Sequence, residues 1–420
     1  MRPTTAFLSL FLLAASSCTH GSNRQEAPAS PSSMDPVERG RALARRVIIA
    51  DGHIDVPYRL HEKLGPDGEP TEDISQRTAE GDFDHPRAVE GGFDVAFMSI
   101  YIPAELQAKP GASKALADSL VDMVEKIARQ SPGKFAMAHS VEEARRNTRE
   151  GKVSFALGIE NGSAIEDSLQ NVTHFHQRGV RYITLTHSRD NQISDASFNS
   201  GKRTWNGLSP FGKQVVAEMN RVGIMVDVSH LSDDAIRQAV ELSQVPVIAS
   251  HSSCRHFTPG FERNISDELI RALAAKGGVV MINFGSAFLT QAFNDYERQV
   301  RDAVETFGKA RGLSRGDDPE IRVFLEAYRR DHPAPLARVE DVADHIDHVV
   351  KLVGIDHVGL GSDFDGVGPT LPTGLKDVSQ YPNLFRVLLE RGYNEADIEK
   401  IASGNVFRVW QKVESHAAGR

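Results

Sequence analysis

Eight short apolar runs, rich in β-branched residues, recur along the chain and alternate with longer segments of helical periodicity. They cover residues 47–54, 93–102, 153–160, 180–187, 224–230, 245–251, 278–284 and 357–364. Such nearly continuous apolar character is typical of parallel strands that are buried on both faces. Eight alternations of strand and helix predict a closed (β/α)8 barrel of the TIM type. An open doubly wound sheet is the alternative, but the glycine-rich phosphate turn expected after its first strand is missing from the sequence.

The segment between the seventh and eighth runs is too long for a single barrel helix. Helical patterns occupy residues 303–311, 319–330 and 339–352, which predicts an elaborated seventh βα segment. The sequence contains neither an internal repeat nor a second set of strands, so we expect residues 37–415 to form one domain.

The first 18 residues are expected to be an export signal that takes no part in the fold. Arg2 precedes an apolar run over residues 6–15, and small residues then lead to Cys18. This ending resembles the lipobox of bacterial lipoproteins, in which the cysteine is acylated. The resemblance implies a lipid-anchored, exported protein facing the periplasm or the cell exterior, with a flexible tether over residues 19–36. A plain secretory signal is the alternative, because Ala15 stands where a larger aliphatic residue is usual.

The net charge and the cysteine content argue against a nucleic-acid-binding protein and against a protein stabilised by disulfides. The formal net charge of −9 argues against a nucleic-acid partner, which would require a basic surface. The chain has two cysteines, Cys18 and Cys254, so acylation of the first leaves no partner for an internal disulfide.

Potential metal ligands and acid–base residues stand at the ends of six of the eight predicted strands. They are His53, Asp55, Glu160, His187, His230, His251 and Asp363. The carboxyl ends of barrel strands meet on one face, which is where barrel enzymes have their active sites. A single strand-terminal histidine is more often a hydrogen-bonded structural residue. Together, however, these groups would crowd unpaired polar atoms at the rim, a cost that a coordinated divalent cation removes.

The ligand types indicate which metal to expect. Imidazole and carboxylate without thiolate favour zinc, with manganese, cobalt or iron as substitutes. Cys254 follows His251 closely, but a lone thiol is more often a small buried residue than a ligand. The ligands outnumber those that one catalytic zinc ion needs, so we expect two zinc ions that share a carboxylate. Such a pair can hold a hydroxide and polarise a substrate carbonyl.

The motifs around these residues resemble those of the membrane (renal) dipeptidases, zinc metallopeptidases of the amidohydrolase-like barrel type. The matching segments are DGHID (51–55), GIEN (158–161), LTHS (185–188), GLSPFG (207–212), DVSH (227–230), SHS (250–252), RN (263–264) and GSDFDG (361–366). They occur in order over roughly residues 40 to 410, almost the whole mature chain, and their combination is far more specific than any one of them.

The resemblance implies a specific set of metal ligands. His53 and Asp55 would bind one zinc ion, His230 and His251 would bind the second, and Glu160 would bridge the two.

The resemblance also implies which residues handle the substrate. His187 would stabilise the developing oxyanion, and Arg263 would bind the free carboxylate of the substrate. Without the resemblance, a surface ion pair with Glu262 or Asp267 would be the preferred interpretation of Arg263. Asp363 would transfer the proton, with Asp365 as the rival for that role.

The implied activity is hydrolysis of the amide bond of a small dipeptide, with L–D dipeptides included among the candidates. Two alternatives stay open: a related barrel hydrolase acting on a lactam or an N-acyl amino acid, and a lipoprotein that binds metal or peptide without catalysis. A serine nucleophile is not supported, because the sequence has no Gly-x-Ser-x-Gly elbow.

One position departs from the family pattern. Gly285 follows the seventh strand, where mammalian relatives have an aromatic hydroxyl that contacts the substrate. We therefore expect a wider or differently lined pocket. The oligomeric state stays open, with a homodimer as one option.

Overall fold

The computed structural model describes residues 35–198, 201–313 and 318–419, which contain nine parallel strands in one sheet. The strands are β1 Ala50–Ile54, β2 Val95–Tyr101, β3 Phe135–Met137, β4 Val153–Glu160, β5 Val180–Thr184, β6 Met225–Asp227, β7 Ile248–Ala249, β8 Val279–Ile282 and β9 Val358–Leu360. Eight of them follow the order β2-β1-β9-β8-β7-β6-β5-β4, and pairing of β2 with β4 closes the ring. The predicted (β/α)8 barrel is confirmed.

The α-helices of the described residues lie between and around these strands. They are α1 Pro36–Ala44, α2 Val56–His61, α3 His85–Gly91, α4 Ala112–Gln130, α5 Val141–Arg149, α6 Gln170–Gln177, α7 Pro210–Val222, α8 Asp233–Leu242, α9 Asp267–Ala275, α10 Ser286–Leu289, α11 Gln291–Arg311, α12 Pro319–Asp331, α13 Val339–Val353, α14 Tyr381–Glu390, α15 Glu395–Glu399 and α16 Asn405–Ala418. Residues Pro36–Arg420 form one compact unit.

Strand β3 was not predicted. Its three residues pair with the first part of β4, on the side where β5 joins β4 further along, so β3 lies outside the ring of eight. A strand this short carries too few residues for a periodic signal. The barrel strands themselves are buried along almost their entire length, as expected when helices cover one face and barrel side chains the other.

The seventh βα segment is elaborated, as predicted. Its described residues contain the four helices α10 to α13 between β8 and β9. Helix α11 begins much earlier than the predicted 303, because the Thr290 side chain accepts a hydrogen bond from the Phe293 N–H and caps the helix.

Serine caps begin three of the helices that follow the barrel rim. Ser209, Ser232 and Ser266 each accept a hydrogen bond from the backbone N–H three residues on, at the starts of α7, α8 and α9. These caps fix where the helices begin and so limit the length of the loops that carry functional side chains.

Cys18 and almost all of the predicted tether lie outside the described residues. Among the helices of the described ranges, none combines the length and the apolar character that crossing a bilayer requires.

Candidate metal centre and active site

Seven side chains from six strand ends come together at the carboxyl rim of the barrel. We call them the rim cluster: His53, Asp55, Glu160, His187, His230, His251 and Asp363. Several lie just beyond the ends of their strands, since β5, β6, β7 and β9 are shorter than the apolar runs predicted. The sequence therefore predicted the right side chains at the rim, although the strand ends themselves lie a few residues earlier.

Glu160 is the centre of the rim cluster. Its Oε1 lies 2.9 Å from His230 Nε2, 3.2 Å from His251 Nε2 and 3.6 Å from His187 Nε2. Its Oε2 lies 3.5 Å from His53 Nε2. One carboxylate thus faces four imidazoles, with each of its oxygens turned to a different side of the cluster.

Two of the rim residues have backbones in the left-handed region. The φ angles are 68° at His230 and 63° at Asp363, a region that residues other than glycine rarely adopt. Two backbone hydrogen bonds surround Asp363. Its N–H donates to the His53 carbonyl at 3.1 Å, and the Asp55 N–H donates to the Phe364 carbonyl at 2.9 Å. These bonds lock the ends of β1 and β9 together and hold the strained residue in place.

The far nitrogens of two imidazoles are held by partners behind the rim cluster. His53 Nδ1 lies 2.8 Å from the Tyr182 hydroxyl, and His251 Nδ1 lies 2.7 Å from Ser250 Oγ. Ser250 in turn donates to Asp227 at 2.6 Å. With Nδ1–H donating to these oxygens, each Nε2 lone pair points into the cluster, the orientation that metal-ligating histidines need.

The donor set fits a divalent metal centre. The side chains form three overlapping groups whose ligand atoms lie within 4.8 Å of one another: His53, Glu160 and His251; Glu160, His187 and His230; His53, Asp55 and Asp363. His53 Nε2 and Asp55 Oδ1 are buried without a hydrogen-bond partner. The Nε2 atoms of His230 and His251 are only 2.9 Å apart, an arrangement that a shared cation stabilises.

The protonation preferences also fit a cation. Burial lowers the pKa of His251 to about 3 and that of His230 well below its ordinary value, so both imidazoles are neutral, as metal ligands must be. Burial acts the same way on His53, but Tyr182 and the neighbouring carboxylates together raise the pKa of His53 well above its ordinary value. His230 and His251 therefore offer neutral nitrogen donors. The carboxylates around His53 create an electrostatic potential that favours a positive charge there.

The two candidate proton carriers have different surroundings. Asp363 Oδ2 accepts a hydrogen bond from Asn283 Nδ2 at 2.7 Å, and Asp363 groups with His53 and Asp55. Burial raises the pKa of Asp363, and the nearby Asp55 raises it further. Asp365 instead pairs with Arg59 Nε at 3.1 Å, and its Oδ1 accepts the Asp82 N–H at 2.7 Å. Asp363 thus lies among the candidate ligands, whereas the carboxylate of Asp365 is engaged by Arg59 and the Asp82 backbone.

Arg263 is buried, with 2% of its surface exposed, so the alternative of a surface ion pair is wrong. It donates to Ser252 Oγ at 2.7 Å and to the His251 carbonyl at 2.9 Å, which leaves Nε without a hydrogen-bond partner. Burial lowers the pKa of Arg263 to about 10, while Asp363 and Glu160 oppose the shift. The guanidinium stays charged at neutral pH and has spare capacity for an anion.

A cavity of about 560 Å³ opens over the rim cluster. Tyr58 and Tyr101 line it and meet edge to face, with ring centroids 4.8 Å apart. His187 also lines it, and burial lowers the pKa of this imidazole, which favours the neutral form. A Cβ atom on Gly366 would overlap carboxylate oxygens of Asp55 and Asp363, so this glycine permits their close approach.

Two apolar side chains fill the space beside Gly285. A Cβ atom there would lie 2.8 Å from Val367 Cγ1 and 3.0 Å from Phe288 Cδ2. These two side chains, which line the cavity, occupy the region beside the glycine. The pocket of this chain is therefore lined by apolar groups at this position, and the comparison with relatives stays a prediction.

Sequence reasoning gave no role to several residues that shape the site. Tyr182, Asn283, Tyr58 and Tyr101 carried no recognisable signal, because their importance depends on contacts between separate strands. Asp227 was visible as the first residue of the DVSH segment. Its hydrogen-bond link through Ser250 to His251 could be found only in the structure.

The model of the membrane dipeptidase family (peptidase family M19) matches residues 37–420. The dipeptidase tcpJ of Claviceps purpurea (strain 20.1) is 34% identical over 385 residues, which cover 88% of this chain and 78% of the relative. Among solved structures, the probable dipeptidase PvdM from Pseudomonas aeruginosa has a TM-score of 0.77 at 28% identity, covering 91% of this chain and 99% of that one.

A metallo peptidase from Rhodobacter sphaeroides, solved with a phosphinate mimic of the dipeptide L-Ala-D-Ala, has a TM-score of 0.70 at 26% identity. The match covers 87% of this chain and 99% of that chain. The chain therefore belongs to the membrane dipeptidase family and is a metallopeptidase.

Proposed function

We propose that this protein is a two-zinc dipeptidase that hydrolyses the amide bond of small dipeptides, including those with a D-residue at the carboxyl end. The observation that carries the proposal is the position of Glu160, whose Oε2 faces His53 while its Oε1 faces His187, His230 and His251. His53 and Asp55 would hold one zinc ion, and His230 and His251 the other, with Glu160 shared between them.

The donor chemistry supports zinc in particular. All the ligand atoms are imidazole nitrogens and carboxylate oxygens, and the Cys254 sulfur instead lies 3.7 Å from the His345 carbonyl. Bound in this set, zinc ions supply an activated water and a Lewis acid for the substrate carbonyl.

The protein's own residues complete the reaction. Asp363 takes the proton from the attacking water and delivers it to the leaving nitrogen, and Asn283 holds its carboxylate in position. His187 lines the cavity and donates a hydrogen bond to the carbonyl oxygen as negative charge develops there.

Substrate selection rests on Arg263. Its free Nε–H and its charge suit the terminal carboxylate of a dipeptide, and a cavity of about 560 Å³ holds a molecule of that size. The Rhodobacter sphaeroides relative solved with a mimic of L-Ala-D-Ala supports the inclusion of D-residues at the carboxyl end.

The deciding experiment is a panel of L,L- and L,D-dipeptides, assayed on purified protein before chelation, after chelation and after zinc is restored. We expect turnover that disappears with the metal and returns with zinc. A protein that binds two zinc ions but turns over none of the dipeptides would favour a lactam, an N-acyl amino acid or a non-catalytic binding role.

The role of Arg263 can be tested separately with Arg263→Lys. Lysine keeps the charge but lacks the planar guanidinium donors, and a hydrogen bond to a charged group contributes about 1.5–3 kcal/mol. We therefore expect kcat/KM for dipeptides to fall by about 10- to 150-fold, mainly through KM. Arg271→Lys, at an exposed position on α9, is the matched control and should change neither constant. Equal kinetics for both variants would remove Arg263 from substrate binding.

We further propose that the protein is exported and anchored through an acylated Cys18, with residues 19–36 as the tether. The support is the small-residue run before Cys18 and the polar composition that follows it. Mass measurement of the mature amino terminus should find a diacylglycerol-modified cysteine, and Cys18→Ser should release the protein from the membrane fraction. An unmodified Cys18 would reduce the proposal to simple secretion.

A further inference from the structure

A second group of ligand-type side chains lies away from the catalytic cavity. It comprises His256, Asp267 and His348, which we call the outer cluster, and none of the three lines the cavity over the rim cluster. His256 lies in the 3-10 turn Arg255–Phe257 after β7, Asp267 is the first residue of α9, and His348 lies on α13. Three separate segments of the chain thus contribute one side chain each.

The geometry of the outer cluster is that of a loose three-ligand metal site. His348 Nε2 lies 2.8 Å from Asp267 Oδ1, and the rings of His256 and His348 stack with centroids 4.4 Å apart. One ligand atom from each residue lies within 4.8 Å of the other two. Ligands of a tetrahedral zinc ion, with bonds of about 2.0–2.1 Å, lie roughly 3.4 Å apart, which small side-chain rotations would achieve.

A purely structural role explains only part of this arrangement. The bond from His348 to Asp267 joins α13 to α9 by itself and does not need His256. Asp267 is not required as a helix cap either, because Ser266 already caps α9. The His256 side chain is exposed, and within the described residues its ring nitrogens show no hydrogen bond, although the ring is held beside His348. These nitrogens are therefore accessible to a ligand from solvent.

The surroundings hold the outer cluster in position. His345, on the preceding turn of α13, is buried, and its Nδ1 accepts the Cys254 N–H at 3.0 Å. Its Nε2 lies 3.0 Å from the Leu289 carbonyl, to which it donates. The Phe257 ring packs on the rings of His345 and His348, with centroids 4.4 Å and 5.6 Å away. The turn that carries His256 is therefore fixed against α13 independently of any ligand.

We propose that His256, Asp267 and His348 bind one additional zinc ion on the outside of the barrel. Two imidazoles and one carboxylate are a suitable donor set for zinc, and three protein ligands leave one position for water. The ion would cross-link the loop after β7 to α9 and α13.

The first test measures bound zinc. Wild type and His256→Ala are dialysed to equilibrium against the same buffered free zinc, and the metal content is determined by mass spectrometry. We expect His256→Ala to bind one equivalent fewer than wild type, with unchanged kcat/KM for dipeptides. The matched control is His332→Ala, a surface histidine at the end of α12, which should bind as many equivalents as wild type.

A second measurement separates metal binding from a structural effect of the substitution. Zinc should raise the melting temperature of wild type more than that of His256→Ala, whereas without zinc the two should melt together, since binding to the native state is what stabilises it. His348→Gln, which keeps a donor for Asp267, should lose the same equivalent. If both variants retain the wild-type zinc content and zinc-dependent shift, the outer cluster is a hydrogen-bonded clasp and the proposal is wrong. The experiment compares the zinc content of wild type and variant and looks for a difference of one equivalent. Its result therefore does not depend on whether the catalytic proposal is correct.

Discussion

The rim cluster and the outer cluster use the same side-chain types in very different settings. In the rim cluster, His53 and His251 are buried, their far nitrogens are held, and a shared carboxylate faces four rings. In the outer cluster, the His348 and Asp267 side chains keep 15% and 35% of their surface exposed, and one hydrogen bond connects them. Ligand identity therefore does not distinguish the two clusters. Burial and hydrogen-bond support behind the ligands, which orient metal ligands, do distinguish them.

The strongest test of this contrast removes the charge at the centre of the rim cluster. Glu160→Gln leaves four imidazoles around a neutral amide, and the loss of a buried charge partner costs about 3–5 kcal/mol. We expect the protein to lose its rim metals and turnover to fall by at least about 10³-fold. Metal content and kcat are the measurements, with the exposed Glu150→Gln as control. Retention of rim metals and activity in Glu160→Gln would refute the central position of this residue.

The next test separates proton transfer from metal binding within the rim cluster. Asp363→Asn keeps the shape of the side chain and removes its basicity, so we expect bound metal to be retained and kcat to fall about 10²- to 10⁴-fold. Asp365→Asn is the informative comparison, because its carboxylate pairs with Arg59. A larger loss of kcat in Asp365→Asn, at equal metal content, would transfer the proton role to that residue.

A smaller effect is expected behind the ligands. Asp227→Asn weakens the acceptor that orients Ser250 and, through it, His251. Loss of such an outer partner lowers metal affinity by about 10- to 100-fold, which a competition titration with a zinc chelator would measure. Asp234→Asn, at an exposed position on α8, should leave affinity unchanged. If Asp227→Asn bound zinc as tightly as wild type, the hydrogen bonds from Asp227 through Ser250 to His251 would not explain why the rim cluster differs from the outer cluster.

The smallest effect concerns the order in which metal leaves. Under mild chelation, the exposed outer cluster should lose its single zinc ion first, while dipeptidase activity stays at its initial value. Activity should decline only when the chelator is strong enough to compete with the buried rim. Following metal content and turnover in the same samples checks this order, and simultaneous loss of both would contradict it.

The sequence predicted the barrel because eight short apolar runs alternate with segments of helical periodicity. It missed β3, whose three residues carry no periodic signal, and it placed the ends of β6 and β7 too late. The predicted runs extend to His230 and His251, although the backbone leaves the sheet before them. Element boundaries depend on hydrogen bonds between strands, which a single sequence does not reveal.

For the site, the strand-end residues were predictable because their positions in the chain place them on one face. Contacts between distant segments were not. The burial of Arg263, the support of His53 by Tyr182, and the pairing of His256 with His348 all depend on how separate loops pack. The metal-binding and catalytic roles of the rim residues stay predictions that the substitutions above test.

The tight fit at Gly366 has a consequence for other chains of this fold. A single added methyl group there would force Asp55 and Asp363 apart, although the barrel beneath could stay intact. Position 366 is therefore informative in relatives: where it has a side chain, we expect the carboxylates that correspond to Asp55 and Asp363 to lie further apart.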